Sequence, residues 1–567
     1  MSVYKERLEN LRAVLKKVRL DAFIIPNGDQ WQSEHPEPCD KRLEFLTGLN
    51  ASAGYAVITM DKAVVLIDGR YTISAKEQID SDVFDIGFYT DTMPEIWAIG
   101  HIKETGLIGY DPWLHTQKDA KRMQIACNEM NVYLMPVKTN PIDSIWENRP
   151  DATPYSAIHH DLQFCGQTTD EKLSALALKL DDNDADSLII TAPDSLAWIL
   201  NLRVPAKSTA PGISGYGIFQ ADQNKLTVFT DINCSEFHYA QSKKFEIDFL
   251  PLHEFPMAIH YFEQAEQTVQ ISESAADWFT EHLNAPASEI IIHDDPCDIL
   301  KSIKNDAEQT GIRAAHRRDG EAMTNVINYI KKTKQLTEKN IESYLTKERK
   351  KQNMFRGVSF DSIVGWNANG AKIHGSPTDT IIEGNGLLLI DSGAQYDDGT
   401  TDITRTIGIG NPSKDMKEKF TIVLKAHIAL AMAIFPDTAT GAQLDAITRK
   451  PLWDNELDYA HGTGHGVGFF LNVHEGPFGI SPRSSKTLQA GMLLSNEPGY
   501  YKEGEYGIRH ENLMLVQNHK MENGKQWLCF ETVTKVPFDE DCIIREMLSK
   551  DELQWLDNYQ ESSLNIL

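Results

Sequence analysis

Residues 386–410 read GLLLIDSGAQYDDGTTDITRTIGIG, an apolar run, a turn-forming Asp-Asp-Gly and an alternating return. That order predicts a β-hairpin. Asp391 and Asp402 fall on opposite arms at nearly the same level. Like charges facing each other across a ladder are unfavourable unless something positive lies between them. A second stretch, LLSNEPGYYKEGEYGIRHENLMLV (493–516), repeats the device, with Glu497 and Glu511 spaced evenly about Gly504. If the two hairpins pack together, four carboxylates point into one site, and each raises the pKa of the next. Two divalent cations would balance that charge. Oxygen donors suit Mg²⁺ or Mn²⁺, and one added imidazole moves the preference towards Mn, Fe, Co or Zn.

The imidazoles lie between the hairpins, in YAHGTGHGVGFFLNVHEGP (459–477), with His461, His465 and His474; His374 precedes the first hairpin. His461 and His465 have the spacing of a zincin pair, but glycines separate them and no Glu follows His461, so the HExxH reading fails. The run also lacks the Lys-Ser/Thr of a phosphate loop. A backbone bent to admit metal and substrate is the expected reason for the glycines.

Outward from this region, the 567 residues are too many for one core. The first 150 alternate helical and strand patterns: Leu8, Leu11, Val14 and Leu15 at helical spacing, then DAFIIP, GYAVIT and AVVLID as strands. After ENRPDATP (147–154) the order returns, Asp21-Ala-Phe-Ile-Ile matching Asp186-Ser-Leu-Ile-Ile and Gly54-Tyr-Ala-Val-Ile matching Gly215-Tyr-Gly-Ile-Phe. Three units follow from this: 1–150, its duplicate at 151–302, and 303–567, which opens on two amphipathic helices.

With 55 Lys plus Arg against 82 Asp plus Glu, the net charge is −27, a poor match for nucleic acid or anionic membranes. Seven scattered cysteines without a CxxC fit a reducing compartment. No apolar stretch reaches the ~18 residues of a membrane span. The expected location is cytoplasmic.

The segments IVGWNANGAKIHGSP (363–377), LLIDSGAQYDDGTTDITRT (388–406), HGTGHGVGFFLNVHEGP (461–477) and SNEPGYYKEGEYGIRHENL (495–513) resemble the catalytic domain of the Xaa-Pro aminopeptidases, within the pita-bread metallopeptidases. The resemblance spans almost the whole chain. It implies an α/β (α+β) fold, two creatinase-like N-terminal α/β domains followed by a pita-bread catalytic domain. It further implies that Asp391, Asp402, His465, Glu497 and Glu511 bind two divalent metal ions, with Asp402 and Glu511 shared between them. Mn²⁺ is the first expectation, with Zn²⁺, Co²⁺ and Fe²⁺ as the other candidates. His374, His461 and His474 would handle substrate, and Arg509 would support the site.

The implied reaction is hydrolysis of the first peptide bond of peptides with proline at the second position. The attacking species is a water or hydroxide bridging the ions. The implied assembly is a homodimer. Prolidase, confined to dipeptides, is the nearest alternative, and a non-catalytic pita-bread binding protein is the rival from another class.

Overall fold

A computed structural model describes residues 2–239, 242–262, 267–283 and 289–564. The N-terminal helix Val3–Val18 buries Leu8, Leu11 and Leu15 against the first sheet. That sheet has six strands in the spatial order Asp85–Phe88, Ala63–Ile67, Tyr55–Thr59, Ala22–Pro26, Leu107–Tyr110 and Tyr133–Pro136. Its central strand, Ala22–Pro26, is buried at every residue, as the unbroken apolar run DAFIIP requires of a strand covered on both faces.

The second sheet runs Glu246–Leu250, Lys225–Thr230, Gly215–Gln220, Ser187–Ile190, Thr268–Ser272 and Glu289–His293. Strand order and strand directions repeat those of the first sheet, two antiparallel pairs and three parallel ones in the same places. The strands aligned in sequence, Ala22–Pro26 with Ser187–Ile190 and Tyr55–Thr59 with Gly215–Gln220, occupy the same positions in the two sheets.

Two helices, Asp306–Lys332 and Glu338–Arg349, open the remaining region, each started by a reciprocal capping box (Asn305 with Glu308, Thr337 with Asn340). The strand Gly386–Ser392 pairs antiparallel with Ile403–Ile409. Asp391 pairs with Thr404 rather than Asp402, so the two aspartates are diagonal neighbours on one face and not directly opposed. The cause is the turn: residues 394–400 leave the ladder to form a small sheet with Phe355–Val358.

A fully buried ion pair holds that departure in place. Arg349 binds Asp319 at 2.8 and 2.9 Å and donates to the carbonyls of Ser392 and Gly393.

The second hairpin keeps the expected register. Gly499 pairs with Arg509 inside it and Asn496 with Asn512 outside it, which brackets Glu497 and Glu511 as opposed residues at the break between two ladders. Leu493–Asn496 and Asn512–Glu522 belong to a larger sheet that also takes in Gly464–Gly466 and Glu475–Ile480. An apolar run at residues 426–435, AHIALAMAIF, lies mostly in the helix Lys414–Ala431, packed on Gly441–Trp453, and among the described residues no helix is long and apolar enough to cross a membrane.

Candidate metal centre

The two acidic hairpins are stitched together side by side. Glu511 donates its backbone N–H to the Thr404 carbonyl (3.1 Å) while the Thr404 hydroxyl donates to Glu511 Oε2 (2.6 Å). Two residues away, the Thr406 hydroxyl donates to the Arg509 carbonyl at 3.0 Å. The alternating threonines of DITRT therefore serve as rungs between hairpins.

The histidine loop joins as a strand. A Cβ on Gly464 would lie 2.0 Å from the Ser495 carbonyl and one on Gly466 2.3 Å from that of Glu475, so these glycines allow close strand approach. The strand is also irregular where the bent backbone is expected, its pairing register shifting between His465 and Gly466, although neither glycine has a positive φ.

The result brings all five acidic and imidazole candidates to one place. Donor atoms of Asp402, His465 and Glu511 lie within 4.8 Å of one another. His465 Nε2 stands 3.5 Å from Asp402 Oδ2 and 3.5 Å from Glu497 Oε1. Its other nitrogen, Nδ1, faces the Gly466 carbonyl at 2.9 Å and so carries the proton, which leaves a lone pair on Nε2. Burial lowers the His465 pKa, favouring this neutral form.

A lone pair aimed at two carboxylate oxygens is acceptor facing acceptor when both acids are ionised, an arrangement that a shared proton or a bound cation resolves. Asp391 Oδ1 and Asp402 Oδ1 are buried without hydrogen-bond partners, further open donor positions. Burial, then the neighbouring acids, push the Asp402, Glu497 and Glu511 carboxyls well above the usual carboxylate range. Two carboxylates from each hairpin and one neutral imidazole fit a pair of divalent cations in donor number and charge.

Arg509 offsets part of the charge, donating to Asp391 Oδ2 at 2.6 Å. Its other arm donates to the Tyr501 hydroxyl (2.6 Å), which meets His461 Nε2 at 2.8 Å. His461 Nδ1 faces the Gly462 carbonyl at 2.7 Å, so both ring nitrogens are engaged. Burial pushes its pKa down to about 3, keeping the ring neutral.

His374 and His474 are tied to the first sheet's loops. His474 Nδ1 meets Glu34 Oε2 at 2.5 Å, Ser52 donates to Glu34 Oε1 (2.9 Å), and Tyr71 bridges Ser52 (3.0 Å) and His374 Nδ1 (3.0 Å). Burial acts to raise the Glu34 pKa, but His474, His35 and Arg70 outweigh it and hold the carboxyl well below its ordinary range. Sequence reasoning missed Glu34, Ser52, Tyr71 and Tyr501. Glu34 is separated from His474 by 440 residues, and no local pattern marks such a contact. Glu34, Ser52, Tyr71 and the four histidines line a cavity of about 1310 Å³ that also takes in Lys207 of the second sheet's region, with Tyr501 behind its wall.

The model described as "Metallopeptidase family M24" matches residues 310–518, and "Creatinase/Prolidase N-terminal domain" models match 7–144 and 148–308. A C-terminal region of peptidase M24 matches 526–567. Among curated relatives, probable Xaa-Pro aminopeptidase P of Laccaria bicolor is 34% identical over 98% of this chain and 89% of its own, and that of Aspergillus niger 35% identical over 98% and 94%. The crystal structure of X-prolyl aminopeptidase from Caenorhabditis elegans, described as a cytosolic enzyme with a di-nuclear active site, is 29% identical. It covers 99% of this chain and 96% of its own with a TM-score of 0.94. The prolidase of Pyrococcus horikoshii is 26% identical and covers 65% of this chain and 99% of its own, with a TM-score of 0.53.

Proposed function

The chain belongs to metallopeptidase family M24, two creatinase-like N-terminal domains preceding a pita-bread domain, and from that premise we propose that it is an Xaa-Pro aminopeptidase releasing the first residue of peptides with proline second. The observation that carries this reading is His465 Nε2, a lone pair 3.5 Å from each of two carboxylate oxygens inside a nest of four acids. Asp391, Asp402, His465, Glu497 and Glu511 would hold two divalent cations, with Asp402 and Glu511 shared. Bound there, such cations supply Lewis acidity and hydroxide at neutral pH for attack on the scissile carbonyl.

The chain's own residues then orient the substrate. The bond before proline is a tertiary amide without an N–H, so grip must come from shape and from groups around the ring and carbonyl. His461 is committed at both nitrogens and fixes Tyr501 and, through it, Arg509. His474 is committed at Nδ1 alone, which leaves Nε2 to meet the scissile carbonyl or the proline ring. His374, anchored at Nδ1 by Tyr71, lines the same cavity.

Two observations favour aminopeptidase over prolidase. The cavity of about 1310 Å³ exceeds the ~300–1,000 Å³ that suits a drug-sized ligand, giving room for a longer peptide. The prolidase likeness covers 65% of the chain, whereas the aminopeptidase likeness covers nearly all of it. Manganese as the resident metal, the unit boundaries at 150 and 302, a cytoplasmic location and a homodimer belong to the same proposal. Incubating manganese-loaded protein with Xaa-Pro dipeptides and with longer Xaa-Pro peptides, and identifying products by mass, tests the activity. Release of the first residue from the longer peptides is expected. Cleavage confined to dipeptides would favour prolidase, and no cleavage of either would refute the reading.

A further inference from the structure

Arg405, three residues beyond Asp402, is 1% exposed, yet among the described residues it has no carboxylate for a hydrogen-bond partner. Its guanidinium is instead saturated by neutral groups. Nη1 donates to the carbonyls of Thr404 (2.7 Å) and Glu511 (2.6 Å), one on each acidic hairpin. Nη2 donates to Asn512 Oδ1 (2.8 Å), the Val536 carbonyl (2.6 Å) and the Tyr559 hydroxyl (2.7 Å). The Phe538 ring lies 4.4 Å beneath it.

Burying an unpaired cation is costly, and a fork of this shape holds several acceptors at fixed spacing. The carbonyls it clamps belong to Glu511 and to Thr404, whose hydroxyl meets the Glu511 carboxylate. Tyr559 sits on the C-terminal helix Lys550–Leu564, stacked on Trp555, and its hydroxyl also contacts Asn512 Oδ1 (3.1 Å) and the Val536 carbonyl (2.9 Å). The helix therefore reaches the ligand-bearing strands through one hydroxyl and one guanidinium.

We propose that Arg405 and Tyr559 are positioning residues that fix the separation of the two hairpins, so that this guanidinium and this hydroxyl, rather than the stability of the C-terminal helix as a whole, set how tightly the acidic nest holds divalent cations. The inference rests on the metal-site reading above. Neither side chain lines the cavity. Their effect is on the spacing of Asp402 and Glu511, each held by its own hairpin.

The test is isothermal titration of metal-free protein with Mn²⁺, alongside its melting temperature. Tyr559→Phe keeps the ring and removes the hydroxyl, and Arg405→Lys keeps the charge and loses the second arm of the fork. Each is expected to weaken Mn²⁺ binding about 10-fold, the size seen when groups orienting metal ligands are removed. Gln560→Ala loosens the same helix, where Gln560 bonds Phe538 at both ends, without touching Arg405. It is expected to lower the melting temperature and leave Mn²⁺ affinity unchanged.

Wild-type affinity in Tyr559→Phe or Arg405→Lys would overturn the proposal, as would an equal loss in Gln560→Ala. Asp402→Asn separates the two levels of failure. If it binds Mn²⁺ as the wild type does, the metal-site reading falls and this inference with it. If it loses binding while Tyr559→Phe does not, only the positioning role falls.

Discussion

Replacing Asp402 by Asn should change stability with opposite signs in the two states of the site. The donor atoms of Asp402 and Glu511 lie within 4.8 Å. Two unit negative charges at that distance repel by about 3 kcal/mol at an effective dielectric constant of ~20. Both carboxyl pKa values lie well above the usual range, so the metal-free protein relieves part of this by holding protons, and Asn recovers a gain on the order of 3 kcal/mol or less. At about 2 °C per kcal/mol for a region of this size, the metal-free variant should melt up to ~6 °C above the wild type.

With Mn²⁺ at about 1,000 times its dissociation constant, the wild type gains roughly 4.1 kcal/mol, and the variant, short of a shared ligand, gains much less. The order of melting therefore reverses on adding metal, and turnover is lost. Calorimetry with and without Mn²⁺, with bound metal counted by mass spectrometry, reads both effects. A metal-free variant that melts below the wild type, or one that retains two ions and near wild-type turnover, would refute the reasoning.

Other perturbations have equally definite outcomes. Lys304 and Glu475 form a fully buried pair at 2.5 Å, so Lys304→Met should destabilise by about 3–5 kcal/mol in urea titration, whereas Lys304→Met with Glu475→Leu should recover most of that. His316 is buried and neutral, its pKa pushed down to about 4 by burial. The unfolded chain binds its proton near pH 6.5, so this contribution is intact above that pH and falls away as pH drops towards 4, by about 3 kcal/mol in all. The stability lost between pH 7 and 4 should shrink in His316→Gln. Tyr501→Phe removes the link between Arg509 and His461 and should lower kcat about 10- to 100-fold with bound Mn²⁺ unchanged; loss of metal would contradict the assignment of Tyr501 to substrate positioning. Chelation should abolish activity and Mn²⁺ restore it, and full activity in metal-stripped protein would count against any metal role.

Much of the architecture was legible because local patterns carried it. The apolar runs at 22–26 and 187–190 form central strands of two sheets with the same strand order, and the helices at 306–332 and 338–349 begin at their own caps. The second hairpin could be paired by counting from Gly504, because a short antiparallel ribbon fixes its own register. The first could not. Its turn is captured by Phe355–Val358 and by Arg349 with Asp319, partners remote in sequence, and Asp391 came to rest against Thr404.

Composition and spacing thus determined which donors this chain possesses: four acids on two ribbons and histidines between them, chemistry that belongs to the residues themselves. Only the tertiary structure decided where they meet. Threonine hydroxyls and one guanidinium bind the ribbons edge to edge, and Glu34, Ser52 and Tyr71 arrive from a sheet hundreds of residues away. Such contacts follow from burial and from matching donors to acceptors across the whole folded chain, and nothing within a window of neighbouring residues encodes them.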